Sequence, residues 1–144
     1  TGRTNKYCRV GVRQESKTGG FCDEAEECGV DYVMDKEVQN VNVETMRERR
    51  DQYLYWCDDT YITGCTDVCC AACATGVSAP QARWLDPEIV LPLIKHVLRT
   101  RKVRGFDICE ISPRFDQDNT TANLGAVIIF AVVNTLCRLN GLSI

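Results

Sequence analysis

Two acids stand where this chain could do chemistry. Asp67 follows the run beginning at Thr60, and Glu110 lies near the end of the run Gly105 to Ile111; both runs read as β-strands. In a parallel sheet the carboxyl ends of such strands line up along one edge, where open α/β folds take their ligands. Two carboxylates on that edge suit a hard cation, or the orientation of a cationic substrate. The plainer alternatives are that Asp67 caps a turn and that Glu110 pairs with Arg114 or Arg83. Asp67 leads into the small-residue loop Gly76-Val77-Ser78-Ala79-Pro80, the kind of segment in which such sheets present functional groups.

A second constellation is the cluster Cys65, Cys69, Cys70 and Cys73. Cys70-Ala-Ala-Cys73 has the first spacing of a zinc site, but no second such pair follows, so Cys65 and Cys69 would have to complete it. Zinc, a local disulfide and unpaired thiols all remain open, and a small thiol-redox or zinc module rests on this cluster alone. The lone histidine, His96, falls in the polar gap of a helix, where a solvent-facing or capping role is expected. With one histidine, His-rich metal sites and most acid-base triads are excluded within the chain.

The elements that must position these groups alternate. Asn5 to Arg13 reads as a first strand and Ser16 to Gly20 as a polar loop. Phe21 to Cys28 reads as a short helix with acids in its first turns, closed by Gly29. Asp31 to Met34 is a second strand. A helix opens at Asn42 or Val43 and runs to Trp56, with Val43, Met46, Tyr53, Leu54 and Cys57 near one face. Asp58-Asp59 then turns the chain into the third strand, Thr60 to Thr66. Asp86-Pro87-Glu88 is a helix start, a capping acid followed by Pro at the first position. Val90, Leu93, Ile94, Val97 and Leu98 form its buried stripe, and Pro92 predicts a kink or a late start. Gly105 to Ile111 is the fourth strand, ended by Ser112-Pro113. Thr120 or Thr121 caps a last helix reaching Leu139, closed by Asn140-Gly141. That helix holds an uninterrupted apolar or Gly run, Leu124 to Val133, shorter than the ~20 residues of a membrane span, and reads as a buried core helix.

Strands alternating with helices predict an α/β fold with a mainly parallel sheet and helices on both faces. At 144 residues the chain fits a single domain, 1–144, with a real core. Four strands are few for so much apolar surface, so the chain reads as a half-molecule or as one that packs against a protein partner. A net charge of −3 gives no nucleic-acid signal. The small basic groups Arg47 to Arg50 and Arg99 to Arg104 read as solvated faces or last helical turns. The ten cysteines accompany long apolar elements, unlike a secreted disulfide scaffold. They are expected to be reduced and mostly buried, in an intracellular protein, cytoplasmic or mitochondrial. The chain opens on Thr1 with no signal-peptide pattern, and the expectation is that sequence is missing ahead of it.

Cys65-Thr66-Asp67, Thr75-Gly76-Val77-Ser78-Ala79-Pro80 and Phe106 to Asp116, with its Glu110-Ile111-Ser112-Pro113, together resemble the ureohydrolases of the arginase superfamily, most of all the formimidoylglutamases. Asn119-Thr120-Thr121-Ala122, the long helix after it, and Tyr7 to Asp35 are similar too. The resemblance implies a three-layer α/β fold of which this chain is the C-terminal half. It implies a pair of manganese ions activating a hydroxide that converts formimidoylglutamate to glutamate and formamide, a step of histidine catabolism. It maps a metal-ligand role onto Asp67 and contact with the nitrogenous end of a small-molecule substrate onto Glu110, with Gly76 and Ser78 in the substrate loop. Cys65 replaces the expected first Asp of the metal pair, and a thiolate suits zinc better than manganese. Lys17-Thr18 stands where an Asn-Thr pair is expected. The family's His- and Asp-rich ligand motifs belong to an N-terminal half that these residues do not include. Two functional expectations follow: part of a formimidoylglutamase-like hydrolase completed by other polypeptide, or a catalytically dead ureohydrolase fold serving as a structural subunit.

Overall fold

The sequence Thr60–Cys65 alternates half-buried with exposed residues, and it forms a strand, β3, whose two faces differ. A computed structural model of the chain describes residues 5–13, 19–40, 48 and 51–142, which fall into two compact units, Thr1–Glu48 and Arg49–Ile144.

In the first unit β1 (Cys8–Val12) pairs parallel with β2 (Asp31–Met34), and the register shifts between Val10 and Val12 around Gly11, whose φ is 81°. Helix α1 (Gly19–Glu27) connects them. It starts earlier than expected, so Asp23 and Glu24 lie beyond its first turn. Its end is as read from the sequence: Gly29 takes φ 67°, its N–H reaches the Glu26 carbonyl at 3.0 Å, and Val30 N–H reaches Ala25 at 2.8 Å. A helix absent from the sequence reading, α2 (Asp35–Asn40), follows β2 directly. Glu37 starts it by accepting the Met34 N–H at 3.0 Å, and Val38 buries its apolar contact.

In the second unit β3 pairs parallel with β4 (Val103–Cys109). Within each unit the described strands pair in the expected parallel direction. Alternating strand and helix patterns dictate direction; they do not name neighbours. Helix α3 (Pro87–Arg99) begins as read, with Asp86 Oδ1 accepting the Glu88 N–H at 2.8 Å. It is not delayed by Pro92, which sits inside it. Leu93 and Leu98 carry the burial, while Val90, Ile94 and Val97 are half-buried. Residues 51–55 are helical, and the expected start of that helix at Asn42 or Val43 lies outside the described residues. Arg101 and Lys102 close helix ends, donating to the carbonyls of Leu139 at 2.6 Å and Leu54 at 2.7 Å.

Helix α4 (Thr120–Leu139) packs on α3. Its inner face is Thr121, Leu124, Gly125, Ile128, Ala131 and Val132, one stripe at helical spacing. The core beneath gathers Cys69, Ala74, Val77, Leu124 and Ile128, with Phe106 and Ile108 packed against it. The expected core helix meets the core along one face only: Val127, Phe130 and Val133 are exposed, Phe130 by 62%. An unbroken apolar run buries only the face that meets a neighbour. By length and composition Gln117–Leu139 is apolar enough to cross a membrane, and 28% of its most apolar window is buried.

Leu98 is 1% exposed among the core side chains, so Leu98→Ala is expected to cost about 2–5 kcal/mol. Chemical denaturation would show the midpoint falling with the slope unchanged.

Candidate functional site

The parallel register sets Thr63 against Asp107 and Cys65 against Cys109, on one face of the β3–β4 pair. The opposite face carries Ile62, Phe106 and Ile108 toward the core. On the open face Asp107 is held from both sides: Thr63 Oγ1 donates to its Oδ1 at 2.7 Å and Tyr61 Oη to its Oδ2 at 2.9 Å. That hydrogen bond, with some burial and the nearby negative charge, raises the Tyr61 pKa. Gly105 faces Tyr61 because a Cβ there would meet the ring at 2.5 Å. At the strand ends the sulfurs of Cys65 and Cys109 lie 3.2 Å apart.

Glu110 follows β4 directly, one residue beyond where the strand stops. Its φ is 66°, a left-handed conformation uncommon for a side chain of this size. Ser78 Oγ donates to Glu110 Oε2 at 2.7 Å, so the Gly76 to Pro80 loop and the β4 end meet at this carboxylate. Neither Arg114 nor Arg83 is needed to explain its position. Asp67 is half-buried in a short 3-10 turn, Thr66–Val68, that ends β3. Thr66 within that turn is buried and donates to the Cys109 carbonyl at 3.1 Å, fixing the β3 turn to β4.

Asp67 and Glu110 thus follow the ends of two neighbouring strands, and the charges of both act on the Cys65 thiol. Burial, the hydrogen bond to Cys109 and the charges of Cys109, Asp67 and Glu110 push the Cys65 pKa up to about 12. Cys65 therefore holds its proton at neutral pH.

Behind the edge, Gly76 is locked at both ends. Its N–H donates to Thr121 Oγ1 at 2.7 Å, and its carbonyl accepts the Ser112 N–H at 2.8 Å. A Cβ at Gly76 would stand 2.4 Å from the Asp116 Cβ, so the close approach demands glycine. The Asp116 carboxylate takes the N–H groups of Thr121 at 2.8 Å and Ala122 at 2.9 Å, and Thr75 Oγ1 donates to it at 3.2 Å. Sequence reasoning gave the α4 cap to Thr120 or Thr121. Asp116 does that work instead, from beyond the tight turn in which Asp118 and Asn119 have positive φ. Its only sequence signal is an acid shortly before the helix.

The cysteine cluster does not converge. Cys65 meets Cys109, whereas Cys70 meets Cys73 at 3.8 Å, and no group of three or more metal-ligating side chains occurs among the described residues. The nine described cysteines are free, and the expectation of burial is corrected: Cys69 alone of them is buried, while Cys28 and Cys65 are exposed. The others are half-buried on strands, in the 70–73 loop and at helix ends, and Cys73 packs against the core. His96 is paired rather than solvent-facing, its Nε2 lying 2.6 Å from Asp51 Oδ1, because α3 turns it toward the helical segment at 51–55. Lys17-Thr18 lies outside the described residues.

The arginase family model matches residues 2–134 of this chain. The chain belongs to the arginase family. It is 43% identical over 138 residues to the formimidoylglutamase of Clostridium tetani (strain Massachusetts / E88), covering 96% of this chain and 41% of that relative. It is 34% identical over 129 residues to the formimidoylglutamase of Legionella pneumophila (strain Paris), covering 90% of this chain and 40% of the relative. The chain therefore spans about two-fifths of the length of these relatives. Among solved structures, formimidoylglutamase from Bacillus subtilis subsp. subtilis str. 168 superposes with a TM-score of 0.84 at 19% identity, over 90% of this chain and 40% of that one. Arginase from Bacillus caldovelox gives 0.76 at 20% identity, over 90% and 42%. The fold is arginase-like α/β, in part.

Of the donors that manganese, the metal this family resemblance implies, would need, the described residues offer only part. Asp67 supplies hard oxygen, but its neighbour in the motif is a protonated thiol, and the described residues form no ligand cluster.

Thr121→Val keeps the shape but leaves the buried Gly76 N–H without an acceptor, at an expected cost of about 1–3 kcal/mol in equilibrium denaturation. Asp116 is a pH test of the same junction. Nearby burial raises its pKa, but hydrogen bonds from Thr121, Ala122 and Thr75 outweigh this and hold it below the ordinary 3.8. A depressed folded pKa means stability that is present above 3.8 and lost as pH falls through the folded value. Asp116→Asn should lose stability at neutral pH and should show a shallower acid limb than the parent below that value. Parallel acid limbs would remove Asp116 from the junction.

Proposed function

We propose that this chain supplies one wall of a site that hydrolyses the C–N bond of a linear amidine, formimidoylglutamate to glutamate and formamide. The observation that carries the reading is the 43% identity with the Clostridium tetani formimidoylglutamase across nearly the whole chain. Glu110 is the substrate contact in this reading. A carboxylate accepts N–H groups from an amidinium in short, charge-assisted hydrogen bonds. The Ser78 hydroxyl, itself in the substrate loop with Gly76, fixes one carboxylate oxygen and so orients the group. Thr66, Gly76 and Thr121 position the elements that carry these residues.

The remaining groups of the site come from polypeptide outside these 144 residues, and Asp67 joins them from this side. That polypeptide also has apolar surface to pack on, since Val127, Phe130 and Val133 of α4 are exposed. An intracellular setting goes with this reading and is supported by the free state of the nine described cysteines.

A second reading has its own observation. Cys65 stands where the resemblance places an acid, and its protonated thiol is a poor substitute. In that reading the chain keeps the ureohydrolase fold as a structural subunit without catalysis.

The test joins this chain to the portion of the Clostridium tetani relative that it does not match, and measures formamide release with manganese present. The chain alone should be inactive and the chimera active. Glu110→Gln in the chimera, losing a hydrogen bond to a charged group worth about 1.5–3 kcal/mol, should lower kcat/KM roughly 10- to 150-fold. An inactive chimera that gains activity on Cys65→Asp would establish the structural reading. A chimera that is folded and inactive in both forms would sink the hydrolase assignment.

A further inference from the structure

Cys65 and Cys109 are direct partners in the parallel ladder, both on the open face and both at the last position of their strands. Neighbouring strands lie about 4.8 Å apart, within the ~4.4–6.8 Å between Cα atoms that a disulfide spans. Their sulfurs are already 3.2 Å apart, against a bond length of ~2.05 Å. Cys65 is exposed and Cys109 half-buried, so a small oxidant reaches the pair from the open side. No other described pair combines these features. Cys70 and Cys73 are farther apart, at 3.8 Å, and both are half-buried within one loop.

We infer that Cys65 and Cys109 form a reversible modification site, a cross-strand dithiol that hydroperoxides convert to a disulfide. In the first step the Cys109 sulfur, as its thiolate, attacks the peroxide, while Cys65 keeps its proton. An S–O bond forms, the O–O bond breaks, and the leaving alkoxide or hydroxide takes a proton. In the second, the other thiol attacks that sulfenic sulfur: the S–S bond forms, the S–O bond breaks, and water leaves with the thiol proton. Two thiols are oxidised by two electrons and one peroxide is reduced, giving disulfide, alcohol (or water) and water. A cellular dithiol reductant reverses the change by exchange. The bond joins the ends of β3 and β4 just before Asp67 and Glu110 in the chain, so it replaces two thiols at the strand ends with a fixed, uncharged bridge. The inference stands on this geometry and does not depend on the proposed hydrolysis.

The experiment treats the folded 144-residue chain with hydrogen peroxide, blocks remaining thiols, and digests with trypsin without reduction. Cleavage after Arg104 and Arg114 leaves Cys109 as the one cysteine of its peptide. The expected product is that peptide linked through Cys65 to the peptide ending at Arg83, lighter by two hydrogens, separated by dithiothreitol, and lost in Cys65→Ser. Fragment ions locate the bridge in the parent chain, so the result holds even where the variant folds poorly. A Cys109 peptide that stays unlinked while Cys70 and Cys73 oxidise would overturn the inference. So would a link that persists in Cys65→Ser or forms equally in denaturant.

Discussion

The second unit depends on one buried hydrogen bond, from Gly76 N–H to the Thr121 hydroxyl. Thr121 has no exposed surface, and an unpaired N–H at that depth would be costly. The bond exists because two separate demands agree. Gly76 has no side chain, so the loop can press against Asp116, and Asp116 in turn captures the first N–H groups of α4. The Thr121 hydroxyl, which also bonds the Asp116 carboxylate, then points at the loop. Loop, strand end and helix start are thereby fixed by groups that are each satisfied only when the others are in place. The Ser112 N–H completes the arrangement by taking the Gly76 carbonyl, which sets the chain just after Glu110.

This junction explains why Glu110 can occupy a conformation that costs free energy. Its positive φ is not relieved by glycine and is sustained by the surroundings: the β4 ladder before it, the Gly76–Ser112 bond after it, and Ser78 on its carboxylate. Strain of this sort persists where the neighbours over-determine the backbone. Here they hold an acid at the rim of the sheet, aimed toward the loop and not along the strand. The same logic runs across the open face, where Thr63 and Tyr61 hold Asp107 in register with β3.

Much of this was legible in the sequence, and the gaps have a common cause. Strand direction, the Asp86 cap, the Gly29 and Gly141 stops and the extent of α4 follow from local rules, which a short window carries in full. Asp67 and Glu110 could be placed on one edge because parallel strands end on the same side. What could not be read is non-local. Nothing near Asp116 says that its carboxylate caps α4 across a turn of two left-handed residues, and nothing near His96 names Asp51. The apolar run in α4 gives its hydrophobicity but not how much of it is covered, since that depends on neighbours. The cysteines follow the same rule. Of the cluster 65 to 73, Cys69, Cys70 and Cys73 stay together, while Cys65 pairs with Cys109, more than forty residues away in sequence.

The family resemblance places an acid where this chain has Cys65, and against that expectation the thiol has an electrostatic consequence beyond ligand preference. Asp67 and Glu110 both act on the position Cys65 occupies, and a third carboxylate there would add like charge to an edge with no cation among its described groups. A thiol whose proton is held to about pH 12 adds none. Cys109 on the neighbouring strand then gives that thiol a hydrogen-bonding partner. An acid at position 65 would be satisfied best by a metal; a thiol is satisfied by its neighbour. A thiol at position 65 therefore adds no like charge beside Asp67 and Glu110, and it sets two sulfurs side by side at the strand ends.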